Sequence, residues 1–91
     1  MTGIVERFSV IWETERLEAK WLKEMTGVKA DRWYTITRSG DMRASEIEMV
    51  NQLFPEYKVW LSTGEEYPEA GQISPMTKKA QKTLKNQPKA G

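Results

Sequence analysis

A chain of 91 residues carrying 14 Lys/Arg, 13 Asp/Glu and a net charge of +1 is the size of one small domain. It contains neither cysteine nor histidine. That excludes a disulfide framework, a thiolate nucleophile or metal site, and the usual general base near neutral pH. No charged-then-apolar leader opens the sequence and no apolar run approaches membrane length, so the expected setting is the cytoplasm, with no membrane partner.

Ile4, Phe8, Ile11 and Trp12 recur at helical spacing and predict an amphipathic first helix over about residues 3–13. Thr14 is the expected cap of a second helix, with Glu15 and Glu18 at its positive end. Leu17, Trp21, Leu22 and Met25 form the apolar stripe of that helix, and Thr26-Gly27 ends it. A third helix is predicted over about 30–38, broken by Ser39-Gly40-Asp41. Ser45 and Glu48 have the spacing of a capping box and open a fourth helix with Ile47, Met49, Val50, Leu53 and Phe54 on its apolar side. Pro55 starts a short fifth helix marked by Tyr57, Trp60 and Leu61 and closed by Gly64.

Beyond Gly64 the sequence EEYPEAGQISP reads as an irregular connector, and 76–86 as a weak lysine-rich helix with little to bury. The expected fold is all-α: a compact bundle of about five short helices anchored by Trp12, Trp21, Trp33 and Trp60. Residues 1–65 form the expected domain, and 66–91 a connector and a flexible basic tail. A core this small gains from dimerisation.

The near-neutral charge hides an asymmetry. Residues 1–72 hold nine Lys/Arg against all thirteen Asp/Glu, a sum of −4. Residues 73–91 hold Lys78, Lys79, Lys82, Lys85 and Lys89 with no acid, a sum of +5. Such a tail is either an electrostatic contact to nucleic acid or a solvated terminus. The acidic body argues mildly against strong non-specific DNA binding.

The most informative stretch is 14–40. Helix, glycine turn and helix in this order give the outline of a helix-turn-helix, whose second helix enters the major groove of DNA. Val28 plugs the angle between the helices, and Trp33 and Ile36, three apart, face the core. The opposite face carries Ala30, Asp31, Tyr34, Thr35 and Arg38, with Lys29 and Arg32 at its flank. Arginine can bind guanine through two hydrogen bonds, threonine can meet a thymine methyl, and tyrosine and lysine can hold phosphates. Lys29, Ala30, Arg32, Tyr34, Thr35, Arg38 and the nearby Arg43 are therefore the candidate DNA-binding residues. Asp31 fits least well, because a carboxylate in the groove repels phosphate.

Leu22, Gly27, Val28, Trp33 and Ile36, followed by Phe54, Pro55, Tyr57, Trp60, Leu61, Thr63 and Gly64, give residues 3–65 a resemblance to the lambda-repressor-like helix-turn-helix family of phage and bacterial regulators. The resemblance implies a transcriptional regulator that binds a two-fold symmetric double-stranded operator as a homodimer. Candidate dimer surfaces are the fifth helix with Tyr57 and Trp60, or the chain beyond Tyr67. The sequence departs from the family pattern in three places. The small residue usual in the second helix falls at Lys23 or Ala19, depending on register. Glu18, Ala19 and Lys20 replace a phosphate-binding glutamine, and Thr37 replaces a late glutamate.

Catalysis is not expected. Ser39 and Ser45 lack a histidine partner, no phosphate-binding glycine loop or calcium loop occurs, and nothing calls for a cofactor or metal. The competing reading is a small helical adaptor that binds a protein partner rather than DNA.

Overall fold

The computed structural model describes residues 3–86. The chain forms α1 (Ile4–Glu15), α2 (Ala19–Thr26), α3 (Ala30–Ser39), α4 (Ala44–Leu53), α5 (Lys58–Thr63) and α6 (Pro75–Asn86), with single 3-10 turns at Pro55–Tyr57 and Pro68–Ala70. The described residues contain no strand, only an isolated antiparallel bridge between Tyr67 and Gln72. The all-α bundle expected from apolar periodicity is the architecture found.

α1 buries Val5, Phe8 and Ile11 on one face. It runs two residues beyond its expected end and stops where Arg16 takes the left-handed conformation (φ 53°). There the Arg16 N–H donates to the Glu13 carbonyl and the Leu17 N–H to the Trp12 carbonyl, satisfying the carbonyls that a helix end leaves open. Thr14 is thus inside α1 and caps nothing; the residue preceding α2 is Glu18.

The start of α4 also differs from expectation. The Glu46 carboxylate accepts the Arg43 N–H at 2.7 Å, so the side-chain cap is centred two residues before Ser45, and Ser45 and Glu48 are exposed.

Phe8, Ile11, Leu22, Trp33, Ile36, Val50, Tyr57 and Leu61 form the centre of the core. Trp33 is fully buried, its ring 5.7 Å from Phe8. Trp60 is buried and Trp12 half-buried. Trp21, expected in the core, lies at the surface with 36% of its area exposed. The closing end of α5 is held by Arg7, whose guanidinium donates to the carbonyls of Leu61 (2.8 Å) and Ser62 (3.2 Å). A cation there also complements the negative end of the helix.

The chain after Gly64 is stitched back onto the bundle. The Gln72 side chain donates to the Pro55 carbonyl and accepts the Val59 N–H, each at 3.0 Å. The Ile73 N–H donates to the Glu56 carbonyl. The buried Ser74 caps α6 by accepting the Thr77 N–H at 3.1 Å, Pro75 fills the first helical position, and the Glu66 carboxylate accepts the Ser74 N–H. Lys78 then bridges Glu15 (3.2 Å) and Glu56 (2.7 Å) and lies 5.3 Å over the Tyr57 ring. The Tyr57 hydroxyl donates to the same Glu15.

Partial burial pushes the Glu15 carboxyl upward, but the hydrogen bonds from Tyr57 and Lys78 outweigh it and the net shift is downward. The described part of the expected tail is therefore a docked helix, fastened by polar groups where apolar ones are few. Residues 87–91, with Lys89, lie outside the described residues.

Because Lys78 is the hub of this attachment, Lys78→Met is expected to raise amide hydrogen exchange throughout α6 while α1–α4 keep their protection. Unchanged exchange in α6 would mean that the backbone contacts of residues 72–74 suffice to hold it.

Candidate nucleic-acid interface

The turn between α2 and α3 is built by three consecutive residues. The Thr26 hydroxyl donates to the Leu22 carbonyl and accepts the Val28 N–H. Gly27 adopts φ 78° and donates its N–H to the Lys23 carbonyl at 2.8 Å. A Cβ at Gly27 would meet no atom within 4 Å, so glycine is needed for the left-handed backbone and not for space. Val28 packs partly buried against the core, as the angle between the helices requires. The small residue of α2 is Ala19, buried in the first turn, whereas Lys23 is exposed.

Trp33 and Ile36 bury the inner face of α3. The opposite face presents Asp31, Tyr34, Thr35 and Arg38, at spacings of three, four and seven residues. Tyr34 is half-exposed and its ring leans against Trp12 at 5.7 Å, which steadies it. The hydroxyls of Thr35 and Thr37 donate to the carbonyls of Asp31 and Tyr34, leaving their oxygen lone pairs outward. Arg38 is exposed in the last turn and Lys29 is exposed before the first, and no ion pair among the described residues engages either. Ala30 opens the helix, and Arg43 stands exposed at the start of α4.

Arg32 behaves differently from the rest of the predicted set. Its Nε and Nη2 donate to the two carboxylate oxygens of Glu46 at 2.7 and 2.8 Å, and Nη2 also reaches the Asp41 carbonyl at 3.4 Å. Glu46 is only 2% exposed. The Arg32 hydrogen bonds, opposed by burial and helped by the Arg43 N–H, hold its carboxyl below the ordinary range. Arg32 is therefore turned toward α4 and fixes α3 to it; the outward cations are Lys29, Arg38 and Arg43. Glu46 is both a capping carboxylate and the buried partner of Arg32, and only the first role follows from its position at a helix start. The available signal for the second was an acid sharing a helical stripe with Val50 and Leu53, four and seven residues on.

Among the described residues no three His, Cys, Asp or Glu side chains gather to hold a metal ion, and no helix is long and apolar enough to cross a membrane.

No protein-family model and no curated protein matches the chain. Among solved structures it is similar to Pf6r from the filamentous phage Pf6 of Pseudomonas aeruginosa PA01, with a TM-score of 0.79 and 29% identity over 93% of this chain and 100% of that one. A likeness of that extent passes residue 65 and takes in more than residues 14–40. The protein accordingly has the all-α fold of a filamentous-phage protein, with the open, polar face of α3 as its candidate site.

Proposed function

We propose that the protein is a sequence-specific DNA-binding transcriptional regulator of phage or prophage origin that lays α3 in the major groove of a double-stranded operator. The observation that carries this reading is the division of α3: its inner face is spent on the core, while Tyr34, Thr35 and Arg38 stand together outside on a rigid frame. Arg38 and Thr35 read base edges, Tyr34 and Lys29 hold phosphates, and Arg43 reaches the flanking backbone. Ala30 lets the helix start approach the groove closely. Arg32 acts through Glu46, holding α3 at its angle. The likeness to Pf6r supports the phage origin. The reading involves no catalysis and no cofactor.

Selection of duplexes from a random pool by the full chain, repeated at two salt concentrations, is expected to return a two-fold symmetric motif. Arg38→Ala is expected to weaken binding to that motif by about 1–3 kcal/mol with its melting temperature unchanged. No enrichment above background, or wild-type affinity in Arg38→Ala, would overturn the reading. One observation favours the alternative of a protein-binding adaptor: Asp31 lies on the same outward face as Arg38, two turns earlier, and puts a carboxylate where phosphate would come. A salt-insensitive protein complex without DNA affinity is its signature.

A further inference from the structure

Where α3 meets α1, Ser9, Trp12, Glu13, Tyr34 and Thr37 line a hollow of about 210 Å³. Two of its walls are aromatic, the Trp12 and Tyr34 rings lying 5.7 Å apart at 45°. The Ser9 hydroxyl donates to the Val5 carbonyl at 3.0 Å, and the Thr37 hydroxyl donates to the Tyr34 carbonyl at 2.7 Å. With their protons so committed, both oxygens are left to accept. The Glu13 side chain is exposed, and no ion pair among the described residues engages its carboxylate. Glu13 also stands in the last turn of α1, whose carbonyl end adds negative potential. The cations of this region line the two adjoining hollows instead. Arg16, Lys78, Lys79 and Lys82 line the one that shares Glu13, and Arg38 the one that shares Ser9 and Thr37.

We propose that this hollow binds a guanidinium group, the end of an arginine side chain carried by a protein partner. The faces of aromatic rings attract cations, and a planar guanidinium stacks on a ring while its N–H groups reach acceptors at the edge. A guanidinium has five donors and no acceptor, which complements a carboxylate and two hydroxyls whose protons are already engaged. An apolar occupant would satisfy the rings but take water from Glu13 and return no hydrogen bond. An ammonium carries the same charge, yet it is more strongly hydrated and has no plane to stack. The hollow has room for the end of a side chain, and no cation lines it to take the α-carboxylate of free arginine. Both facts favour an arginine within a peptide chain. The occupant uses the ring of Tyr34 and leaves its hydroxyl open. The inference goes beyond the reading of α3 as a DNA-binding helix and does not rest on it.

The test is titration of the full chain, without DNA, with N-acetyl-arginine amide, followed by heteronuclear NMR with thermal melting as a check on folding. Saturable shifts are expected at the amides of Ser9, Trp12, Glu13, Tyr34 and Thr37 and at the Trp12 indole N–H. The equivalent citrulline amide, of the same shape but uncharged, is expected to bind about tenfold more weakly or worse, and the lysine amide about threefold more weakly. Glu13→Gln and Tyr34→Ala are each expected to raise the dissociation constant about fivefold or more at a near-wild-type melting temperature. Shifts that never saturate, saturation only at other residues, citrulline or lysine amides that bind as well as the arginine amide, or wild-type affinity in Glu13→Gln would each overturn the proposal. Free arginine binding more tightly than the blocked form would overturn the assignment to a peptide side chain. Because no DNA enters the assay, its outcome is independent of whether α3 reads an operator.

Discussion

Trp33→Ala is expected to leave the chain largely unfolded at 37 °C. The indole is fully buried at the junction of α1, α2 and α3, against Phe8 and beside Leu22 and Ile36. Deleting a buried tryptophan side chain costs about 3–5 kcal/mol in lost transfer energy and cavity formation. Small domains have only about 5–15 kcal/mol of total stability. Trp33→Phe is the informative companion. The indole N–H has no hydrogen-bond partner, so phenylalanine removes an unsatisfied donor while refilling most of the space. It is expected to lose only a small part of that stability and to keep any DNA affinity. Chemical denaturation followed by far-ultraviolet circular dichroism compares the three proteins. A Trp33→Ala variant as stable as the wild type would place the indole outside the core.

Arg32→Met is expected to lower the melting temperature on the order of 10 °C, because it leaves a buried carboxylate with one backbone donor in place of an arginine fork. Adding Glu46→Leu is expected to recover much of the loss, since removing both members of a buried pair costs far less than stranding one. The pH dependence identifies the cause. The folded-state carboxyl of Glu46 lies below its ordinary value of 4.5. Its contribution is therefore complete above about that pH and disappears as the pH falls through the lower folded value. The melting-temperature difference between wild type and Arg32→Met is thus largest at neutral pH and narrows in acid. An unchanged melting temperature combined with lost DNA binding would make Arg32 a groove contact and the Glu46 pair incidental. This contrast with Arg38→Ala, which should keep its stability and lose affinity, separates the residue that shapes the site from the one proposed to read DNA.

What the sequence determined by itself was whatever depends on neighbours a few residues apart. The five amphipathic stripes follow from a 3.6-residue period, and that period is local. Gly27 marks the turn because a left-handed backbone is cheap only for glycine. Trp33 and Ile36 face inward because they lie three apart on an otherwise polar helix. The outward set of Tyr34, Thr35 and Arg38 follows as the remainder.

Only the tertiary structure decided the rest, because the deciding partners are far along the chain. Arg32 finds Glu46 fourteen residues away, Tyr57 finds Glu15 at forty-two, and Lys78 finds Glu15 at sixty-three. A charged side chain scores as solvent-facing in any local pattern. Whether it becomes a strut, a clasp or a free cation is set by the group that packing brings opposite it. The same reason placed Trp21 at the edge of the core beside Phe54 while Leu22 of the same stripe is buried, and docked the expected lysine-rich helix onto the bundle as α6 by polar bonds that no hydrophobic period records.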